Sequence, residues 1–130
     1  MPLVKVEVYR GKPKTYKKAI LDGIHDALVA SFKISDDDRN QRLYELSRNN
    51  FERRVKRSAN FTIIELTVFK GRSLEAKRLL YSEIAGNLYR NPGIEAKDIL
   101  IILNEQPLDN WSISGGKCAR DIELGFNINV

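Results

Sequence analysis

The chain has 130 residues, 42% of them apolar and 8% aromatic, which is enough for one domain with its own core. Its single cysteine excludes an internal disulfide, which fits a reducing compartment. No apolar run reaches roughly 18 residues and no signal-peptide pattern occurs, so we expect a cytoplasmic protein without a membrane segment. The net charge of +5 favours anionic partners and leaves both small carboxylates and nucleic acid open.

The first 47 residues have the pattern of a β-α-β unit. Residues 3–9 alternate in the manner of a strand, and Gly11 and Pro13 supply turn chemistry. From Lys14 to Phe32 apolar side chains recur every three or four residues, which predicts an amphipathic helix. A more polar strand is expected over about 40–47, and a crossover of this length returns the chain parallel to its start.

A basic segment, residues 48–60, follows this first unit. It contains the densest group of cations in the chain, "RRVKR" at 53–57. Aromatic side chains only flank this group, as Phe51 and Phe61, so the interleaved pattern typical of base stacking is missing. We therefore interpret residues 48–60 as a solvated connector.

The second unit, residues 61–107, repeats the order strand, helix, strand. "FTIIELTVF" at 61–69 predicts a strand, and Ser73 is a suitable N-cap for a helix over about 74–90. "NPG" at 91–93 is a stop signal, and residues 98–106 predict a final strand. The remaining tail, residues 108–130, is rich in polar residues and glycine.

The two units align without a gap at an offset of sixty residues. "VEVYRGK" at 6–12 lies over "LTVFKGR" at 66–72, and Asp38 lies over Asp98. Duplication predicts a single α+β domain over 1–130, with a four-stranded mixed sheet and two helices on one face. "TIIELTVF" and "ILIIL" carry apolar side chains toward both faces, so we expect a second protomer to cover the other face.

Pro2 is the strongest candidate for a catalytic group near the start of the chain. Removal of Met1 would convert its amide nitrogen into a secondary amine, and α-amino groups have a reference pKa of about 7.7–8.0. Burial and nearby cations lower such a pKa, which would make the amine a general base near neutral pH. The alternative is purely structural, because a proline at the head of an edge strand costs little.

Conventional catalytic patterns are otherwise scarce. With one histidine and one cysteine, the chain has little material for a His-based triad or a clustered metal site, and we expect neither metal nor cofactor. His25 falls within the first predicted helix, where we expect a surface or partly buried residue.

Four segments occur in a fixed order along the chain: "PLVKVEVYRG", "DDDRNQ", "LTVFKGRSLEAKRLLY" and "NWSISGG". In this order and spacing they resemble the tautomerase superfamily, whose members act through an amino-terminal proline on paired β-α-β units. The resemblance is closest to its malonate semialdehyde decarboxylase branch and related long-chain members, and it covers nearly the whole chain.

The resemblance implies roles for particular residues. Pro2 would be the catalytic amine once Met1 is removed, Arg72 would bind the substrate carboxylate, and Asp38 matches a catalytic aspartate. The side chains expected around the substrate are, besides Arg72, Lys70, Arg39 and Trp111. Lys70 departs from the branch, which has an arginine there, so a point charge replaces a bidentate donor.

The resemblance further implies a cofactor-free homotrimer that acts on a small carboxylate-bearing carbonyl or enol compound. Tautomerisation is the first hypothesis for the reaction, and decarboxylase or hydratase activity is the alternative. Four of these residues also have a purely structural alternative: Lys70 and Arg72 as turn residues before a helix, Asp38 as a loop or cap residue, and Trp111 as core or interface packing.

A third hypothesis belongs to a different class, a non-enzymatic ferredoxin-like module that binds RNA or a regulatory ligand. Such a sheet should expose aromatic residues, and the central strands here carry mostly aliphatic ones, which argues against nucleic acid.

Overall fold

Six regular elements alternate as two β-α-β units in the computed structural model, which describes residues 1–130. They are β1 (Leu3–Tyr9), α1 (Lys14–Phe32), β2 (Gln41–Leu46), β3 (Thr62–Phe69), α2 (Leu74–Arg90) and β4 (Ile99–Gln106). The predicted strands and helices are confirmed, with small differences at the strand ends.

The sheet order β2-β1-β3-β4 places the first strand of each unit at the centre. Within each unit the strands are parallel, whereas β1 and β3 run antiparallel with Leu3 opposite Thr67. The predicted four-stranded mixed sheet is thus confirmed. The antiparallel centre brings the head of β1 beside the end of β3, so that Pro2 lies close to the turn that precedes α2.

Local chemistry explains where the helices start and stop. Helix α1 follows Pro13, and Lys33 at its C-cap adopts the left-handed conformation with φ 58°. Helix α2 begins after Ser73, whose side chain accepts a hydrogen bond from the Ala76 amide at 3.1 Å. It ends at Arg90, directly before the predicted stop at Asn91.

Both helices pack on one face of the sheet, where the inward side chains of the strands meet their apolar stripes. This core includes Val6, Ile24, Ile64, Leu66 and Ile84.

His25 corrects a prediction, because only 1% of its surface is exposed. The segment after α1 folds back along this position and brings Asp36 Oδ1 within 3.5 Å of His25 Nε2. His25 shares the buried face of α1 with Leu28 and Phe32, three and seven residues further on, so its burial follows from the packing of that face.

The outer face of the sheet is mixed in character. At its centre Lys5 and Glu65 lie 3.9 Å apart across neighbouring strands. Toward the β4 edge it is apolar, with Leu100 43% and Ile102 49% exposed. No helix in the fold is both long and apolar enough to cross a membrane.

The connector and the tail both pack onto the sheet end nearest to them. Phe51 of the connector is buried and stacks on Tyr9 with ring centroids 4.5 Å apart. In the tail, the Val130 carbonyl accepts a hydrogen bond from the Ser73 amide at 2.8 Å. The tail therefore returns to the turn that precedes α2, beside the head of β1.

Candidate active site

A cavity of about 320 Å³ opens beside the head of β1. Four separate stretches of chain line it: the first residue, the loop at 33–38 that follows α1, Arg72 in the turn before α2, and the tail at 125–127. These stretches meet because β1 and β3 are antiparallel, which places the start of the first unit next to the strand-to-helix turn of the second.

The terminal amino group and Asp38 form the polar centre of this cavity. The Met1 nitrogen lies 3.1 Å from Asp38 Oδ2, and Asn40 Nδ2 donates to Asp38 Oδ1 at 2.9 Å. Burial lowers the pKa of the terminal amino group below its ordinary value; the hydrogen bond and charge of Asp38 oppose this, while the charge of Arg72 adds to it. Pro2 is buried behind Met1, and its nitrogen belongs to the peptide bond between them.

Arg72 supplies a fixed positive charge to the same cavity. Its side chain is 6% exposed, and Nη1 donates to the Phe69 carbonyl at 3.1 Å. The guanidinium carbon lies over the Phe32 ring, 4.9 Å from its centre. Burial lowers the pKa of Arg72, and the carboxylates of Asp38 and Glu105 raise it. A pre-oriented guanidinium of this kind suits a carboxylate ligand.

Other predicted site residues lie outside the cavity in this single chain. Lys70 is exposed in the turn after β3. Arg39 points to α1, where Nη2 donates to Asp22 Oδ1 at 2.9 Å. Trp111 packs against Phe69 with ring centroids 4.4 Å apart and ring planes tilted by 34°, and its indole nitrogen donates to the Gln106 carbonyl at 3.2 Å. The structure thus brings together Met1, Asp38 and Arg72, with Pro2 buried next to Met1. The catalytic and substrate roles of all the predicted site residues stay predictions.

Residues of the tail complete the cavity, and the sequence reasoning did not find them. Phe126 and Asn127 line it, and the Phe126 ring lies 5.8 Å from that of Phe69. The one local signal is that Phe126 is the sole aromatic residue after Trp111. On the opposite side Lys33 and Ile34 line the cavity, directed there by the left-handed C-cap of α1.

Comparison with known proteins gives this arrangement a family. Residues 38–114 match a family model described as "Tautomerase enzyme", and residues 2–59 match a second model with the same description. Probable tautomerase YusQ of Bacillus subtilis (strain 168) is 26% identical over 90% of this chain and 96% of that protein. Probable tautomerase YrdN of the same organism is also 26% identical, over 90% of this chain and 94% of that protein.

Solved structures agree. A malonate semialdehyde decarboxylase superposes with a TM-score of 0.81 at 25% identity, covering 91% of this chain and 94% of that one. A fused 4-OT trimer superposes with a TM-score of 0.80 at 21% identity, covering 91% and 96%, and it supports the fold. The fold is that of the duplicated β-α-β tautomerases. The chain belongs to the tautomerase superfamily and is an enzyme of it, as the sequence resemblance predicted.

Proposed function

We propose that the chain, after removal of Met1, is a cofactor-independent tautomerase that uses Pro2 as general base and acid on a small enol or keto carboxylate. The observation that supports this most is the meeting of three groups at one cavity: the start of the chain, Asp38 and the buried guanidinium of Arg72. A cation and a desolvated amine at one cavity are the two elements that such a reaction needs.

The reaction follows from those groups. Arg72 holds the substrate carboxylate and, through its charge, keeps the pKa of a neighbouring amine low. The neutral Pro2 amine takes the proton from the enol oxygen or from carbon and returns it at the other end of the three-atom system. The substrate keeps all its atoms, and one proton has moved.

The first experiment is the intact mass of the purified protein, followed by ketonisation of an enol acid monitored by ultraviolet absorbance. Pro2→Ala, with a free amino terminus verified by mass, should lose about two to four orders of magnitude in kcat, which is the usual contribution of a positioned proton-transfer group. Pro13→Ala is the matched control, because Pro13 is exposed at the start of α1, and it should retain activity. Unchanged turnover in Pro2→Ala would refute the proposal.

A chemical probe tests the same amine independently. A malonate semialdehyde decarboxylase that is 26% identical to this chain, with a TM-score of 0.81 and coverage of 91% and 92%, was solved inhibited by 3-bromopropiolate. This reagent should add to the peptide that begins at Pro2, and Arg72→Gln should slow the addition because the carboxylate of the reagent is no longer held. Addition to lysine side chains alone would contradict the proposed role of Pro2.

A decarboxylase or hydratase reaction is the second candidate. It is supported by Asp38, which lies 3.1 Å from the terminal amine and is held by Asn40, as an aspartate that orients water or substrate would be. In this reaction protonated Pro2 polarises the carbonyl of a β-keto acid, and the bond between the α-carbon and the carboxylate breaks so that carbon dioxide leaves. The electron pair of that bond forms an enol, whose carbon then takes up a proton. Asp38→Asn should then reduce release of carbon dioxide from 3-oxopropanoate far more than it reduces ketonisation of an enol acid.

We further propose that the chain assembles as a homotrimer. The support is the exposed apolar edge at Leu100 and Ile102, which two helices on the opposite face leave uncovered. Light scattering should give three times the 14.9 kDa chain mass. Ile102→Glu should shift the protein toward the monomer, whereas a monomeric wild type would contradict the proposal.

A further inference from the structure

The connector at residues 48–60 carries a group of cations that have no acidic partners. None of them approaches a carboxylate within ion-pair distance, although ion pairs occur along both helices, between strands and in the tail. The unpaired cations of the connector are Arg48, Arg53, Arg54, Lys56 and Arg57. Like charges held together without counterions raise the energy of the folded chain, so this surface favours the binding of an anion.

Part of this surface is concave. A cavity of about 300 Å³ is lined by five residues, of which only Val55 is uncharged, and the other four are cations. Three of those come from the connector, and Lys97 comes from the segment before β4, where it makes one long contact of 3.8 Å with Glu95. No acidic side chain lines this cavity.

Arg57 is held in place within the cavity wall. Its guanidinium lies 4.3 Å from the centre of the Phe61 ring, and Nη1 is buried without a hydrogen-bond partner. The Arg57 amide donates to the Arg54 carbonyl at 3.0 Å, and Arg53 Nε donates to the Arg57 carbonyl at 3.1 Å. These contacts close the turn at 54–57. Because folding already orders this segment, it loses less conformational entropy when an anion binds.

The two sides of the cavity are also tied to each other. Asp98, which is 1% exposed, accepts hydrogen bonds from the Ser58 amide at 2.7 Å and from the Ser58 hydroxyl at 2.5 Å. Ser58 follows Arg57 directly, and Asp98 follows Lys97 directly. This pair of hydrogen bonds fixes the connector against the segment that carries Lys97.

We propose that the connector pocket formed by Arg54, Lys56, Arg57 and Lys97 binds a phosphate-type anion. A planar guanidinium combined with mobile ammonium groups matches a multivalent anion with several oxygens better than a single carboxylate. Through Arg57 and Phe61 the pocket lies at the start of β3, which is the Tyr9 end of β1 and about 25 Å along the chain direction from Met1. It is therefore a second anion site, separate from the cavity that holds Asp38 and Arg72.

Titration calorimetry with inorganic pyrophosphate, at fixed ionic strength, tests the proposal. The wild type should bind it, and Arg57→Gln should weaken the Kd by about tenfold, as expected for one charge-assisted contact. Arg57→Lys, which keeps the charge but loses the planar fork, should lie between them. Arg78→Gln removes the same charge from an exposed position on α2 that forms no side-chain hydrogen bond or ion pair, and it should bind like the wild type.

Several results would overturn the proposal. They are no binding by the wild type, an equal loss in Arg78→Gln, or no loss in an Arg57→Gln protein that keeps the wild-type circular dichroism and melting temperature. If Arg54→Gln and Arg57→Gln change the oligomeric state and pyrophosphate does not bind, the surface is an interface instead. Pro2→Ala should bind pyrophosphate normally, which separates this site from the proposed enzyme reaction. Titrations with inorganic phosphate and with a sugar phosphate then identify which source of the anion fits.

Discussion

Asp38 and Asp98 occupy equivalent positions in the two repeats, sixty residues apart, but they bind different donors. Asp38 lies 3.1 Å from the Met1 amino group at an open cavity. Asp98 is buried and accepts both of its hydrogen bonds from Ser58 of the connector. The connector thus contacts Asp98 in the second repeat as the start of the chain contacts Asp38 in the first. Of the two aspartates, only Asp38 is open to a ligand.

Asp98 should therefore matter for stability. Asp98→Ala leaves the half-buried Ser58 amide and hydroxyl without their acceptor and should lower the free energy of unfolding by about 1–3 kcal/mol. Urea denaturation measures the change. Asp26→Ala, at an exposed position of α1, should change it by less than about 0.5 kcal/mol. A loss in Asp98→Ala no larger than in Asp26→Ala would show that the Ser58 contacts contribute nothing.

Gly71 and its repeat partner Gly11 provide a matched pair for the role of the tail. Both have positive φ, 145° and 107°, so alanine is strained at either position. A Cβ at Gly71 would lie 2.8 Å from Asn129 Oδ1 and 2.9 Å from the Ile128 carbonyl, whereas a Cβ at Gly11 would meet nothing within 4 Å. Gly71→Ala should cost about 1–3 kcal/mol more than Gly11→Ala, because it displaces the tail.

Hydrogen exchange checks the location of that effect. Amides of residues 125–130 should exchange faster in Gly71→Ala and at the wild-type rate in Gly11→Ala. Equal unfolding free energies in the two variants, with equal exchange in the tail, would mean that the tail does not depend on this close approach.

The terminal amino group should respond with opposite signs to its two charged neighbours. In protein that retains Met1, Asp38→Asn removes a group that raises the pKa of the amine, so this pKa falls, the neutral fraction at pH 7 grows and acylation becomes faster. Arg72→Gln removes a group that lowers this pKa, so acylation slows. Mass spectrometry of the N-terminal peptide after timed acylation gives both rates. Asp37→Asn, in the same loop but exposed, serves as control; shifts of the same sign in both variants would contradict the assignment.

Arg72 and Lys70 should differ in their effect on substrate binding. Under the proposed function Arg72→Gln should reduce kcat/KM by about two orders of magnitude, the loss of a charge-assisted bidentate contact. Lys70→Gln should have a small effect, because Lys70 is exposed outside the cavity. Steady-state kinetics on an enol acid give kcat/KM for both variants. A loss in Lys70→Gln as large as that in Arg72→Gln would show that Lys70 reaches the substrate in the assembled enzyme.

The sequence predicted much of the fold because its signals are local. The bounds of both helices follow from three- and four-residue apolar spacing, from Ser73 as an N-cap and from "NPG" as a stop. The sixty-residue repeat then predicts the pairing of two equal units. The buried state of His25 was missed, because its polar side chain was expected nearer the surface, whereas it lies on the buried face of α1 with Leu28 and Phe32.

The candidate site divides in the same way. The sequence singled out Asp38 and Arg72, which line the cavity, since each lies in a segment whose pattern the resemblance covers, and the catalytic roles of Pro2, Asp38 and Arg72 stay predictions. Phe126 and Asn127 were not singled out, because the tail has no periodicity and reaches the cavity only through contacts with the turn at Gly71 and Ser73.

By itself the sequence determined the helices and strands, their duplication and the candidate functional residues, because these depend on spacing along the chain. Only the tertiary structure decided which of them meet. The antiparallel pairing of β1 with β3 brings Arg72 to the head of the chain, and the return of the tail closes the cavity around it. The same packing seals Asp98 under Ser58 while Asp38 stays open, a difference between two equal repeats that arises from what the connector and the chain start contact in space.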